Sequence, residues 1–110
     1  MNLDDYQKQS IQTIAIQGIS VAALAHRTLG LSGEAGVLAN RTKKIIRDSE
    51  GSFSEEDRQF AKEKLGDVLY YLSALAEYYG LSLSEVAEGN LVKSTKFKAS
   101  TKKERQDGRR

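Results

Sequence analysis

Two acidic residues lie in stretches of the sequence where a charged side chain is costly. Glu34 stands in LGLSGEAGVLA and Asp67 in KLGDVLYYLSALA, and both segments consist largely of apolar or small residues. A carboxylate near an apolar core is costly unless it is paired or binds a cation. Facing carboxylates inside a helical bundle are a recurring way to hold divalent metal. The alternative is that each acid meets a Lys or Arg at the bundle edge.

The elements that would position these acids are helices. The chain has no Pro, which suits uninterrupted helices, and its apolar residues recur at helical spacing with no strand pattern. Four helices are expected, over residues 3–13, 21–47, 55–79 and 82–97. Ser54 is a good N-cap, Gly80 a good helix stop, and Ser82 with Glu85 a capping box. Short loops between four helices indicate an all-α, four-helix bundle-like protomer, with Glu34 and Asp67 on its two longest helices.

Composition excludes several classes of protein and site. The 110 residues suit one domain, expected over residues 1–98. There is no Cys and only one His, so disulfides, thiolate sites and His-rich zinc sites are excluded. That residue, His26, is interpreted as a packing residue. No apolar run reaches membrane-spanning length, and the first ten residues do not resemble a secretory signal. We therefore expect a cytoplasmic protein with no membrane partner.

The charge is unevenly distributed along the chain. From Lys96 onward, seven basic residues face two acidic ones, which gives this end +5 and leaves −3 for the rest of the chain. A basic end of this kind could contact nucleic acid or phosphates. We interpret residues 99–110 instead as a solvated, disordered basic tail, because termini of this composition are usually unordered. Nucleic acid is accordingly not an expected partner.

Two longer motifs resemble a known family. The string LGLSGEAGVLANRTKK is similar to the MazG-like pattern LGLxGEAGEVADxxKK, and KEKLGDVLYYLSALAEYYGLSLSEVAEGNLVKSTKF is similar to that family's ELGDVLWYL…GLSLEEVAExNLxKxxxR. The resemblance covers residues 24–97. It implies an all-α nucleoside triphosphate pyrophosphatase fold that dimerises through helices. It also implies hydrolysis of nucleoside triphosphates to the monophosphate and pyrophosphate, with magnesium held by an ExxE and an ExxD motif.

The acidic motifs match only in part. Glu34 and Asp67 fit the first acid of ExxE and the last acid of ExxD, so the resemblance makes them the catalytic and metal-binding residues, with magnesium or manganese as the ion. The partner positions carry Val37 and Lys64, and a further acidic position carries Asn40. We hypothesise that the Lys64 ammonium takes over part of the metal's role by pairing with Asp67 and Glu34. The alternative is that Lys64 points to solvent.

Five other residues fit the family pattern. The resemblance makes them candidate substrate-binding residues: Lys43, Lys44, Tyr70, Asn90 and Lys93. The two adjacent lysines would contact phosphate, or else form a solvated helix end. The tyrosine would stack on a base, or else belong to the core or a dimer interface.

The function expected from this resemblance is a magnesium-dependent nucleoside triphosphate pyrophosphohydrolase whose incomplete acidic site would weaken or abolish turnover. The alternatives are a nucleotide-binding pseudoenzyme and a helical oligomerisation protein. We expect a homodimer or a dimer of dimers.

Overall fold

The protein is all-helical, as the sequence predicts. The computed structural model describes residues 1–106, and no strand occurs among them. The four helices are α1 (Leu3–Ile11), α2 (Val21–Ser49), α3 (Glu55–Tyr78) and α4 (Leu83–Gln106). None of these helices is long and apolar enough to cross a lipid bilayer.

Side-chain caps fix where the two long helices begin. The Ser20 hydroxyl accepts a hydrogen bond from the Ala23 amide and starts α2. At the start of α3, Ser54 and Asp57 form a reciprocal capping box, with bonds of 2.9 and 3.1 Å. Each device satisfies amide groups that the first helical turn leaves unpaired. The tight turn between the helices uses Gly51 at φ +90°, and α2 and α3 therefore lie side by side as a hairpin.

The break between α3 and α4 is also the one expected. Gly80 adopts φ +72°, and the amides of Gly80 and Leu81 donate back to the last turn of α3. A left-handed residue at this point is normally glycine because it carries no Cβ. Ser82 and Glu85 then form the predicted capping box, with bonds of 2.7 and 3.1 Å.

Helix α1 packs against α3 and the start of α4. Buried Gln7 donates to the carbonyls of Ser73 and Leu81 and accepts from the Leu83 amide. One side chain thus joins α1, α3 and the start of α4. The small apolar core lies here. It consists of Ile14, Ala23, Ala74, Ala76 and Leu83.

The end of α4 differs from the sequence prediction. The helix was expected to stop near Phe97, yet it continues to Gln106 and includes residues 99–106. No Gly or Pro interrupts the sequence between Gly89 and Gly108, and Lys and Ala favour helix. Whether residues 99–110 act separately from a domain at 1–98 stays a prediction, and residues 107–110 lie outside the described part of the chain.

Only the beginning of α4 packs on the rest of the protein. Leu83 is buried, whereas every residue from 85 to 100 is exposed. The helix therefore projects from the α1–α3 body as a rod.

Candidate functional site

Glu34 and Asp67 are brought together by a lysine. The Lys64 ammonium donates to Glu34 Oε2 at 2.9 Å and to Asp67 Oδ2 at 3.4 Å. Lys64 and Asp67 share one face of α3 because they are three residues apart, and Glu34 reaches them from α2. The predicted pairing of Lys64 with both acids is confirmed, and the solvent-directed alternative is wrong. We call Glu34, Lys64 and Asp67 the acid–lysine cluster.

The cluster keeps the ammonium charged. The hydrogen bond to Glu34 raises the pKa of Lys64 above its usual 10.5, burial opposes this shift, and the bond to Asp67 supports it. A raised lysine pKa stabilises the fold below the pKa of the unfolded chain, and that contribution is lost as the pH rises through the folded-state value. At neutral pH the cluster holds two negative charges and one positive charge.

These residues do not fit the magnesium site that the resemblance implies. Magnesium is bound through oxygen ligands in near-octahedral geometry, and the position that would supply a further carboxylate carries Val37. Lys64 Nζ already binds the two remaining acids. Among residues 1–106 the structure shows no group of three or more His, Asp or Glu side chains that could hold a metal ion. The ammonium thus lies where a cation is expected.

A cavity opens between α2 and α3, and the acid–lysine cluster does not line it, although Lys64 Nζ lies 5.9 Å from the centre of the lining Phe60 ring. The volume of the cavity is about 470 Å³. The cavity is lined by Val37 and Asn40, which are two of the three positions where the sequence departs from the family pattern. Lys44 and Phe60 line it as well. The remaining lining residues are Arg41, Ile45, Asp48, Ser49 and Asp57. The cavity therefore combines two cations, two carboxylates, neutral hydrogen-bonding groups and an aromatic ring.

Most charges around the cavity are internally paired. Arg41 forms a salt bridge of 2.9 Å with Asp57, and its guanidinium lies 4.4 Å from the centre of the Phe60 ring. Asp48 pairs with Arg47 at 2.7 Å. Within the described part of the chain, Lys44 has no salt-bridge partner. Lys44 is thus the cation at this cavity that is free to meet an incoming anion.

One curated protein shows what the chain is related to. The Gene 37 protein of Mycobacterium phage L5 is 39% identical over 97 residues, which cover 84% of this chain and 85% of the phage protein. The chain belongs to the Gene 37 family. No protein-family model matches the sequence, and no solved structure matches it.

Other predicted site residues lie apart from the cavity in this Gene 37 family member. Tyr70 hydrogen-bonds to Thr13 at 2.9 Å and packs edge-to-face on Tyr71, so it joins α3 to the segment after α1. Lys43 is exposed and does not line the cavity. Asn90 and Lys93 are exposed on the projecting part of α4. Within a single chain, only Lys44 of the five predicted substrate-binding residues reaches the cavity.

The most buried cation of this family member was not predicted from the sequence. Arg27 is fully buried, donates to the carbonyls of Ala74 and Ile16 at 2.8 and 3.2 Å, and pairs with Glu77 at 2.6 Å. The flanking string AHR interrupts an apolar run and was the available signal. His26 beside it packs edge-to-face on Tyr71 with ring centres 5.6 Å apart, as expected of a packing residue, although its buried Nδ1 has no hydrogen-bond partner among the described residues.

Proposed function

We propose that this Gene 37 family member is a nucleotide-binding pseudoenzyme of the MazG-like type, which binds a nucleoside triphosphate between α2 and α3 without metal-dependent hydrolysis. The observation that carries the proposal is the position of Lys64 Nζ, 2.9 Å from Glu34 and 3.4 Å from Asp67. An ammonium that is hydrogen-bonded to both acids neutralises the ligands that a magnesium ion would need. It cannot itself activate a water as a bound metal does.

The cavity supports binding of a nucleotide. Lys44 offers a point charge to phosphate, which lysine commonly provides in phosphate sites. Asn40 offers hydrogen bonds from its side-chain amide, and the Arg41 guanidinium that covers the Phe60 ring offers a planar face to a base. Two carboxylates without a counter-ion would repel a triphosphate, whereas here Lys64 leaves the cluster with a charge of only −1 at neutral pH. The assignment of a nucleotide as the ligand rests on the motif resemblance.

We further propose that the functional unit is a homodimer built on the α2–α3 hairpin. Leu29 and Leu65 are 69% and 57% exposed, an unusual state for leucines on long packed helices. A Cβ added at Gly33 or Gly36 would meet no atom within 4 Å, so a second backbone could approach closely here. A monomer by light scattering at micromolar concentration would contradict this part of the proposal.

Pyrophosphate release from a panel of nucleoside triphosphates, with and without magnesium or manganese, tests the proposal. We expect the unaltered protein to be inactive. A variant carrying Val37→Glu and Lys64→Glu should gain metal-dependent release, because it restores the two missing acids. Metal-dependent release by the unaltered protein that disappears on Asp67→Ala would instead show that the two remaining acids suffice for catalysis and that the pseudoenzyme assignment is wrong.

Calorimetric titration of the same nucleotides tests binding separately. We expect Lys44→Gln to weaken binding by about tenfold, the effect of losing one charge-assisted hydrogen bond of about 1.4 kcal/mol. The matched control is Lys62→Gln, since Lys62 is exposed on α3 and does not line the cavity. No binding of any triphosphate, with the dimer intact, would favour a helical interaction protein instead.

A further inference from the structure

The projecting part of α4 carries a concentrated positive charge. Residues 89–103 contain five lysines and no acid, whereas residues 1–88 contain nine basic and thirteen acidic residues and have a net charge of −4. At 1.5 Å per residue, this stretch of helix is about 22 Å long. Lys93, Lys96, Lys98 and Lys102 are all exposed. Lysines clustered along a helix are an electrostatic footprint of nucleic-acid binding.

The lysines occupy two sides of the helix. Successive residues are about 100° apart around an α-helix. Lys96 therefore lies about 60° from Lys93 on one side, whereas Lys98 and Lys102 lie about 140° and 180° from Lys93 on the other. Between the two sides runs a face of neutral residues. In order along the helix they are Asn90, Ser94, Phe97 and Thr101.

We propose that α4 binds duplex DNA by lying in the major groove. A helix is about 10–12 Å wide and the groove about 12 Å, so the two lysine sides would meet the phosphates of the two strands. The neutral face would then point to the groove floor. Its side chains are of the types that contact base edges there: Asn with adenine, Ser and Thr with several bases, and Phe with the thymine methyl group.

Charge complementarity and the arrangement of apolar residues select this partner. A membrane-surface helix needs a continuous apolar face opposite its cations. On α4, however, the exposed apolar residues Leu91, Val92 and Phe97 point in three different directions, about 100° to 140° apart. A single strand would engage one lysine side and leave the other in solvent. The expectation against nucleic acid depended on a disordered tail, whereas α4 extends to Gln106 and carries the lysines on a helix. This inference is independent of nucleotide binding between α2 and α3.

Fluorescence anisotropy with a labelled 20-base-pair duplex, measured over a series of salt concentrations, tests the proposal on the full chain. The test variant replaces Lys93, Lys96, Lys98 and Lys102 with Gln. The matched control replaces Lys8, Arg47, Arg58 and Lys62, which are exposed elsewhere, and so loses the same four charges. Circular dichroism should show the same helix content in both variants.

In the test variant, the plot of the logarithm of the binding constant against the logarithm of salt concentration should become shallower. Its negative slope should decrease in magnitude by about three to four, since each phosphate contact contributes about 0.9. The control should bind within about threefold of the unaltered protein, because exposed charges beyond a Debye length are screened. Methyl green, a major-groove ligand, should displace the protein from the duplex, whereas netropsin, a minor-groove ligand, should not. The proposal would be overturned by an equal loss of DNA affinity in the two variants or by displacement with netropsin alone. Binding only to single-stranded RNA or to anionic vesicles would overturn it as well.

Discussion

Arg27 is the position where a single substitution should cost this protein the most stability. Its side chain is fully buried and joins three segments that are distant in the sequence: the loop at Ile16, α2 itself, and the last turns of α3 at Ala74 and Glu77. The guanidinium also lies 5.9 Å from the centre of the Tyr78 ring. Replacement by Met keeps most of the aliphatic volume while removing every hydrogen bond.

The expected loss can be worked from these contacts. Each of the three hydrogen bonds from the charged donor contributes about 1.5–3 kcal/mol, but the cost of desolvating the guanidinium disappears with them. Glu77 is 45% exposed, so it can return to water when its partner is removed. The net decrease in the free energy of unfolding should be about 3–5 kcal/mol, because the Ala74 and Ile16 carbonyls lose their donor and each such loss costs about 1–3 kcal/mol.

Thermal and urea unfolding of Arg27→Met measure this loss. Since about 1 kcal/mol moves Tm by roughly 4–8 °C in a domain near this size, Tm should fall by more than about 12 °C. Arg47→Met is the control, because its ion pair with Asp48 is 62% exposed on both sides and solvent screening leaves such a pair little effect on stability. If Arg27→Met loses less than about 1 kcal/mol and differs little from that control, the buried arginine does not hold the three segments together.

Two further predictions concern α2 and the start of α3. A Cβ at Gly30 would lie 2.4 Å from the Tyr71 ring, so Gly30→Ala should destabilise the protein by about 1–3 kcal/mol. Gly33→Ala, which meets open space, should stabilise it by up to about 1 kcal/mol in a monomeric sample; urea titrations that rank the two variants the other way would contradict this. The hydrogen bond from the Ser54 amide lowers the pKa of Asp57, and Arg41 contributes to the same shift. The ionised carboxylate therefore stabilises the fold above its unfolded-state pKa. This stabilisation is lost as the pH falls through the lower folded-state pKa. Asp57→Asn should therefore flatten the acid side of a pH–stability curve measured between about pH 2 and 6, and an unchanged acid side would show that the cap does not contribute.

The acid–lysine cluster shows how far local spacing predicts a site. Lys64 and Asp67 share a helix face because of their separation alone, and Glu34 lies on the next long helix in an antiparallel hairpin, so their pairing was predicted from the sequence. The metal expectation came from the two acids in apolar stretches and from resemblance to a family pattern. It does not fit this chain, since the positions that differ, Val37, Asn40 and Lys64, are those that decide the charge of the site.

Sequence by itself determined the helices, the caps at Ser54 and Gly80, and the pairing of Lys64 with Asp67, because each depends on residues that are neighbours along the chain or one helical turn apart. It missed the end of α4, where a lysine-rich composition suggested disorder although nothing interrupts the helix. Only the tertiary structure decided that Arg27 is buried, because the carbonyls that make burial of a guanidinium tolerable come from Ile16 and Ala74 in other segments. The cavity between α2 and α3 likewise exists only once the hairpin closes, since Asn40 and Phe60 are twenty residues apart in the sequence.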